Sequence, residues 1–263
     1  MPFTLLTCNI LADSYIRREW YPLTPDEWLR PEVRHPALAA HLAASGADIL
    51  CVQEVEEPVF DLLQAHLGAA GYRGTRAAKS LNKPDGCATF WHERFTLEAE
   101  KRFPYPDGEP GRAASGHVAQ ILTLRDGAKR LGVANTHLKW DAPKTPLEEQ
   151  YGLGQIRQLI TALAARKPHA DGWILCGDFN VTPDAPVIAA LTEAGYRHAH
   201  GAYPQACTAA PNHAPRVIDY LFHSKGLNAE PVIPPPITSE TPLPGPGFPS
   251  DHLALAARFD WRH

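Results

Sequence analysis

Asp178 and Asn180 carry the clearest chemical signal in the chain. They close the apolar stretch W-I-L-C-G-D-F-N at residues 173–180. On a β-strand, side chains two apart share a face. A strand continuing through Phe179 would therefore present a carboxylate and a carboxamide together, a pair able to orient a water and hydrogen-bond a phosphoryl oxygen. Gly-Asp turns after strands are common, so four residues alone prove little. Companions stand at the ends of other apolar runs: Asn9 after F-T-L-L-T-C, Glu54 in V-Q-E-V, His137 in A-N-T-H-L, Asp219 in R-V-I-D-Y-L-F, and Ser250-Asp251-His252 before the last run.

Singly, each has a plain structural reading. Glu54 reads as a solvated strand-end carboxylate and Asn9 as a turn cap. A histidine closing an apolar strand is more often a hydrogen-bonded structural residue. Asp219 interrupts an apolar strand and wants a partner, because unpaired burial is costly; His252 supplies one. Together they are chemically coherent. Glu54, Asn9 and Asp251 offer hard oxygen donors suited to Mg²⁺ or Mn²⁺. Asp178 and Asn180 position an attacking water, while His137 and an Asp219-oriented His252 bind charge developing on phosphorus. That is the inventory for metal-assisted hydrolysis of a phosphate ester. The sequence has no H-E-x-x-H, G-x-S-x-G or Walker loop. Gly152 and Gly154 do not make a dinucleotide fingerprint.

The elements that must position these residues are read from periodicity. Strands are expected at 3–10, 48–55 and 87–92, then at 95–103, 117–124 and 129–138 in antiparallel succession. The last pair of these turns at Asp126-Gly127. Further strands are expected at 173–180, 217–223 and 253–259. Helical spacing marks 31–45, 58–70, 148–166 and 185–194. Residues 79–86, 104–116 and the proline-rich 231–249 read as loops. Helices after the first two strands, hairpins in the middle and a closing helix–strand set indicate two packed sheets with helices outside. The final strand would be orphaned by a domain boundary in 231–249, so residues 1–263 read as one domain.

Composition narrows the class. At 263 residues, 44% hydrophobic and 21% charged, the chain is ordinary globular protein. A net charge of −4 argues against electrostatic coating of nucleic acid. The five cysteines are scattered without a C-x-x-C pair. Cys8, Cys51 and Cys176 read as buried free thiols, which suits a reducing cytoplasm. No signal peptide and no run long enough for a membrane span is recognised. No obligate protein partner is evident.

The ordered set C-N-I-L-A-D-S-Y, C-V-Q-E-V, K-P-D-G-C-A-T-F-W, N-T-H-L-K-W-D, L-C-G-D-F-N, R-V-I-D-Y-L-F and P-S-D-H covers essentially the whole chain. It resembles the endonuclease/exonuclease/phosphatase superfamily, in the branch of CCR4-type deadenylases, nocturnin, Angel proteins and the 2′-phosphodiesterase. The resemblance implies an α/β (α+β) fold, a four-layer αββα sandwich of two mixed sheets flanked by helices, with the site at one sheet edge. It implies Glu54 as principal Mg²⁺ ligand, Asn9 helping and Asp251 nearby. Asp178 would orient or deprotonate the nucleophile and Asn180 would bind phosphate or metal-bound water. His137 and His252 would contact the scissile phosphate, with Asp219 behind His252.

Where the deadenylases sandwich adenine, this sequence has Ala214 and Ala142, with Pro143 adjacent to the latter. Poly(A) specificity is therefore not expected. Lys83, Lys139 and Arg216 are candidates for a basic lip, and Trp140 or Phe179 for stacking a base; solvated lysines and packed aromatics are the plain alternatives. The expected activity is a Mg²⁺-dependent phosphodiesterase acting on RNA or an oligonucleotide. A small-molecule phosphomonoesterase, such as a nucleotide 2′-phosphatase, is the alternative, and a catalytically silent binding module the reading from another class.

Overall fold

The computed structural model describes residues 1–142, 144–210 and 214–262. Two six-stranded sheets face each other. In chain order the strands are β1 (Phe3–Asn9), β2 (Ile49–Gln53), β3 (Tyr72–Ala78), β4 (Gly86–His92), β5 (Thr96–Pro104), β6 (Val118–Asp126), β7 (Lys129–His137), β8 (Gly172–Asp178), β9 (Arg197–His198), β10 (Asp219–His223), β11 (Leu227–Val232) and β12 (Leu255–Trp261). The helices are α1 (Pro31–Ala44), α2 (Glu57–Gly68), α3 (Tyr151–Ala164) and α4 (Pro186–Glu193).

The first sheet runs β11-β12-β1-β2-β4-β3 and the second β5-β6-β7-β8-β10-β9. Each holds one parallel pair at its centre, β1 with β2 and β7 with β8, and its other pairs are antiparallel. A parallel pair needs a crossover, and α1 and α3 supply it. Both pairs therefore end at Asn9, Gln53, His137 and Asp178, where the chain must leave the sheet.

Burial explains the layers. Leu5, Ile49, Leu122, Val133, Ile174, Leu221 and Phe259 pack between the sheets. On the outer face of the first sheet, Leu38 and Leu42 of α1 and Val59, Leu63 and Leu67 of α2 meet Leu50, Val52 and Phe90. On the outer face of the second, Ile156, Leu159 and Leu163 of α3 and Val187 and Leu191 of α4 meet Ile121, Leu175 and Phe222. Strands covered on both sides read as unbroken apolar runs rather than alternations. Truncating one fully buried leucine such as Leu63 removes about 2–5 kcal/mol. The sandwich matches the expected four layers.

The interface between the sheets turns polar inside. Gln53 donates to Thr7 Oγ1 at 2.9 Å and to Asn135 Oδ1 at 2.7 Å. Asn135 donates to the carbonyls of Val52 and Ala88 at 3.1 and 2.9 Å, and Thr89 to Gln120 Oε1 at 2.8 Å. Directional bonds of this kind set one sheet against the other more specifically than apolar contact does.

Three strands were not foreseen, β3, β9 and β11. Edge strand β3 buries only Tyr72 and Ala77, so its sequence lacks an apolar signature. Strand β11 takes Pro231 and Val232 from the stretch expected to be loop. The expected strand at 217–223 starts only at Asp219, and the helix expected from residue 148 starts at Tyr151, after a 3-10 turn at Leu147–Glu149. Among the described residues no helix is long and apolar enough to cross a membrane. All five cysteines are free.

Candidate active site

The site grows from the ends of the parallel strands. β8 stops at Asp178 and does not continue through Phe179, as the two-residue spacing had suggested. Asn180 instead adopts a left-handed φ of 55°, and its N–H donates to Asp178 Oδ1 at 2.8 Å. This turn keeps both polar side chains on the catalytic side. Gly177 makes it possible: at φ 135°, a Cβ there would lie 1.8 Å from the Thr136 carbonyl oxygen. Glu54 leaves β2 in the same way, at φ 60°.

Three chain segments, at Asn9, His137 and His252, then converge on Asp178 Oδ2. Asn9 Nδ2 donates to it at 3.1 Å and to Glu54 Oε1 at 3.0 Å, so one amide joins the two carboxylates. Ala12 N–H donates to the other Glu54 oxygen at 2.9 Å. His137 Nε2 lies 3.6 Å from Asp178 Oδ2 and His252 Nε2 lies 3.9 Å from it. Asn180 Nδ2 sits 2.9 Å from His137 Nε2 and donates to the Leu138 carbonyl at 3.0 Å. Behind His252, Asp219 Oδ2 is 2.8 Å from Nδ1. Asp251 stands beside them and accepts from the Tyr21 hydroxyl at 3.0 Å.

The electrostatics follow from burial and neighbours. Burial and the nearby Asp219 push the Asp178 carboxyl up to about 7, against the pull of His252 and Asn9. Burial disfavours charge on His252, yet Asp219 overcomes it and holds the imidazolium well above its ordinary range. Burial and then Lys79 push His137 well below its ordinary value, so that ring is neutral. Burial and Asp251 raise Glu54, opposed by Asn9, Lys79 and the Ala12 N–H. One charged and one neutral histidine thus flank a carboxyl that titrates near neutrality.

The residues fit a hard divalent cation. Asp178, Asp219 and His252 bring two carboxylates and an imidazole within 4.8 Å of one another. With His252 held as the imidazolium, the carboxylates are the oxygen donors of that group. Among the described residues Asp219 Oδ1 is buried without a hydrogen-bond partner, a costly state that nearby positive charge relieves. Glu54 and Asp251 add carboxylate oxygens, with Asp251 close enough to Glu54 to raise its carboxyl. Asn9 instead turns its NH₂ to Glu54 and Asp178, and its Oδ1 accepts the Leu11 N–H at 3.0 Å.

The binding candidates divide. Trp140 is 58% exposed and lines a groove of about 670 Å³ with Lys139, Ala142 and Tyr151. Lys139 Nζ lies 5.0 Å from the Tyr151 ring centre. Lys83 is half-buried, and burial, Lys79 and Lys139 together lower its pKa. Arg216 is exposed; its main chain pairs with Ala209, which bridges His252 in turn. Pro143 lies outside the described residues. Phe179 is a correction. It is fully buried, with its ring centre 5.3 Å from Tyr220 and 6.2 Å from Phe222, and cannot stack a substrate base. It follows Asp178 on a strand end, so alternation turns it toward α3 and α4.

Sequence reasoning missed Lys79, Asp85, Tyr15, Tyr21 and His117. Lys79 Nζ lies 2.6 Å from Asp85 Oδ2 and 3.3 Å from His137 Nδ1, and Tyr15 donates to Asp85 Oδ1 at 2.7 Å. His117 stands edge-on to His137, ring centres 5.9 Å apart. Lys79 and Asp85 flank a turn-rich loop whose composition says nothing about burial. A cue existed in Asp85, which directly precedes an apolar strand.

A two-sheet αββα sandwich with an acid–amide–histidine cluster at the ends of its central strands defines a class of phosphate-ester enzymes. The Endonuclease/Exonuclease/phosphatase family model matches residues 6–252, and the chain belongs to that family. Human 2′,5′-phosphodiesterase 12 is 29% identical over 319 residues, covering 97% of this chain and 51% of the relative. The chain thus spans about half the length of that curated relative. The human nocturnin catalytic domain with bound sulfate superposes with a TM-score of 0.78 at 27% identity, covering 99% of this chain and 95% of that one. ANGEL2, a 2′,3′-cyclic phosphatase, in complex with adenosine-2′,3′-vanadate, shares the fold with a TM-score of 0.83 at 21% identity, over 98% and 95%.

Proposed function

We propose that the chain is a Mg²⁺- or Mn²⁺-dependent phosphohydrolase, foremost a phosphodiesterase cleaving RNA or short oligonucleotides. Residues 1–263 act as one catalytic unit, because strands from both chain ends share the first sheet. The observation that carries the reading is Asp178 Oδ2 set between the His137 and His252 rings, with Asp219 bound to the far side of His252. The relatives' printed activities, 2′,5′-phosphodiesterase and 2′,3′-cyclic phosphatase, support phosphate-ester chemistry on nucleotides. Five free cysteines suit a reducing, cytoplasmic setting.

Glu54 and Asp251 would hold the cation, with Asn9 fixing the Glu54 carboxylate through its NH₂; the cation when bound would neutralise charge on the phosphate oxygens. Asp178, once ionised, accepts a proton from the attacking water at Oδ2. Asn180 fixes the orientation of that carboxylate through its N–H and offers its amide to the phosphate. The His252 imidazolium donates from Nε2 to a phosphate oxygen while Asp219 keeps Nδ1 protonated. Neutral His137 adds polarity opposite.

A phosphomonoesterase acting on a nucleotide is the second reading, and the groove favours it. Glu109, Asp141, Glu148 and Glu149 line it against only Arg112 and Lys139, which opposes an extended polyanion.

A metal-dependent hydrolysis panel tests these readings, with Asp178→Ala as control. Its substrates are an oligoadenylate, mixed-sequence RNA, a 2′,5′-linked oligomer, NADPH and simple phosphomonoesters. Shortened oligomers releasing 5′-nucleotides support the diesterase. Free phosphate with intact oligomers selects the monoesterase, and silence throughout returns the binding module.

A further inference from the structure

One buried polar cluster reaches the catalytic edge without a task in the chemistry above. Asp107 lies in the loop between β5 and β6, yet is only 2% exposed. Its Oδ1 accepts from the Ser115 N–H at 2.8 Å. Its Oδ2 accepts from Ser115 Oγ at 2.5 Å and from Gln155 Nε2 at 2.6 Å. Gln155, on α3 and fully buried, accepts the main-chain N–H of Lys139 at Oε1, at 2.9 Å. Ser115 Oγ accepts the His117 N–H at 3.1 Å, and the His117 ring meets His137.

The direction of these bonds is forced. A carboxylate only accepts, so Gln155 must turn its NH₂ toward Asp107, which leaves Oε1 facing Lys139. The turn after β7 is thereby held from both sides. Leu138 N–H donates to the Asp178 carbonyl at 2.9 Å and its carbonyl accepts from Asn180 on the catalytic side. Gln155 holds the next amide from α3. Stability alone gives little reason for a buried carboxylate, since apolar replacements of similar volume often serve better.

We propose that Asp107 is a positioning residue: by fixing the Gln155 amide it places the His137–Lys139 turn and, with it, the Lys139–Trp140 lip of the groove. The inference rests on the hydrolase reading.

The test is Asp107→Asn, Gln155→Glu and the two combined. In the first, an amide hydrogen faces the Gln155 NH₂ or Ser115; in the second, two carboxylates meet. Combined, donor and acceptor are exchanged: the amide at 107 donates, and the carboxylate at 155 accepts from it and from Lys139. The readouts are kcat/KM on bis(p-nitrophenyl) phosphate, the thermal midpoint, and hydrogen exchange of the Lys139 amide by NMR.

Each single variant is expected to lose roughly 10–100-fold in kcat/KM, the usual effect of removing a partner that orients a site residue, with faster Lys139 exchange. The combined variant is expected to recover to within about threefold, because polarity rather than volume was lost. Singles with native kcat/KM and native Lys139 exchange overturn the proposal. So does a folded double variant no better than its parents. Should the singles fail to fold, the double variant decides. A wild-type protein that cleaves no ester defeats the hydrolase reading alone, and Lys139 exchange then judges the positioning role.

Discussion

His252 Nδ1 lies 2.8 Å from Asp219 Oδ2, and this pair joins the two sheets at their catalytic edge. His252 leads into β12 of the first sheet, whereas Asp219 opens β10 of the second. Asn9 and Asp178 bridge the sheets in parallel at 3.1 Å. The site is therefore a property of the docked sheets and not of either alone.

Breaking that bridge tests its role. Asp219→Asn should lower kcat by about 10²–10⁴-fold, because the histidine loses both its orientation and its counter-charge. His252→Ala should cost a similar amount. The double variant should cost little more than either single, as residues acting as a unit do. Additive losses would show that the two act independently.

As the proposed proton acceptor, Asp178 should set the acid limb of the rate profile. It must be ionised to accept the water's proton, and burial beside Asp219 pushes it up to about 7. Activity should rise with pH through that region, and Asp178→Ala should lie near background at every pH. A flat profile between pH 5 and about 8 would remove Asp178 from the proton transfer.

The same carboxyl gives the metal-free protein a stability signature. Between its ordinary 3.8 and about 7 the group is protonated when folded and ionised when unfolded. The unfolded state then binds fewer protons, so unfolding free energy falls as pH rises through this window. His252, raised in the fold, adds a fall at higher pH. Asp178→Asn should abolish the lower slope in urea titrations made with a chelator, while the wild type keeps it.

Glu54→Gln should shift the metal concentration for half-maximal rate upward by about 10–100-fold. Part of kcat should return at saturating metal, because Asp178 and both histidines remain. An unchanged metal requirement would assign the cation elsewhere.

Trp140 and Phe179 should respond oppositely. Trp140→Ala should raise KM for base-bearing substrates, in line with stacking of about 1–3 kcal/mol, and leave p-nitrophenyl esters untouched. Phe179→Ala should lower stability by about 3–5 kcal/mol, as expected for a fully buried aromatic, without selectivity among bases. Isothermal calorimetry with a nucleotide and thermal melts separate the two.

Much of this was legible from residue pattern. The central strands are covered on both faces, so β1, β2, β7 and β8 announce themselves as apolar runs, and the polar residues ending them are the ones that meet in space. Phe179 was misjudged because it was read by its nearness to Asp178, although the alternation that puts Asp178 and Asn180 on one face turns the ring between them to the other. The Lys79–Asp85 pair, Asp107 and Gln155 stayed hidden for a different reason. Lys79, Asp85 and Asp107 stand in or beside loops and Gln155 lies within α3, and only tertiary packing distinguishes a buried polar side chain from a solvated one. Edge strand β3 lacks a continuous apolar face, whereas β11 alternates Leu227, Ala229 and Pro231 inward but is short and ends in the proline-rich stretch that reads as loop.

Leu11, Glu54 and Asn180 all occupy left-handed backbone although none is glycine. Such placement costs on the order of 1 kcal/mol or more, which glycine would avoid. In a deep mutational scan, Glu54→Gly, which relieves both the left-handed φ and a buried carboxylate crowded by Asp251, should therefore emerge as a thermostabilising change that is eliminated under selection for turnover. The protein keeps a less durable backbone because inheritance follows the side chain. Positions where heat tolerance and fitness rank substitutions in opposite order would map the catalytic edge without any substrate in hand.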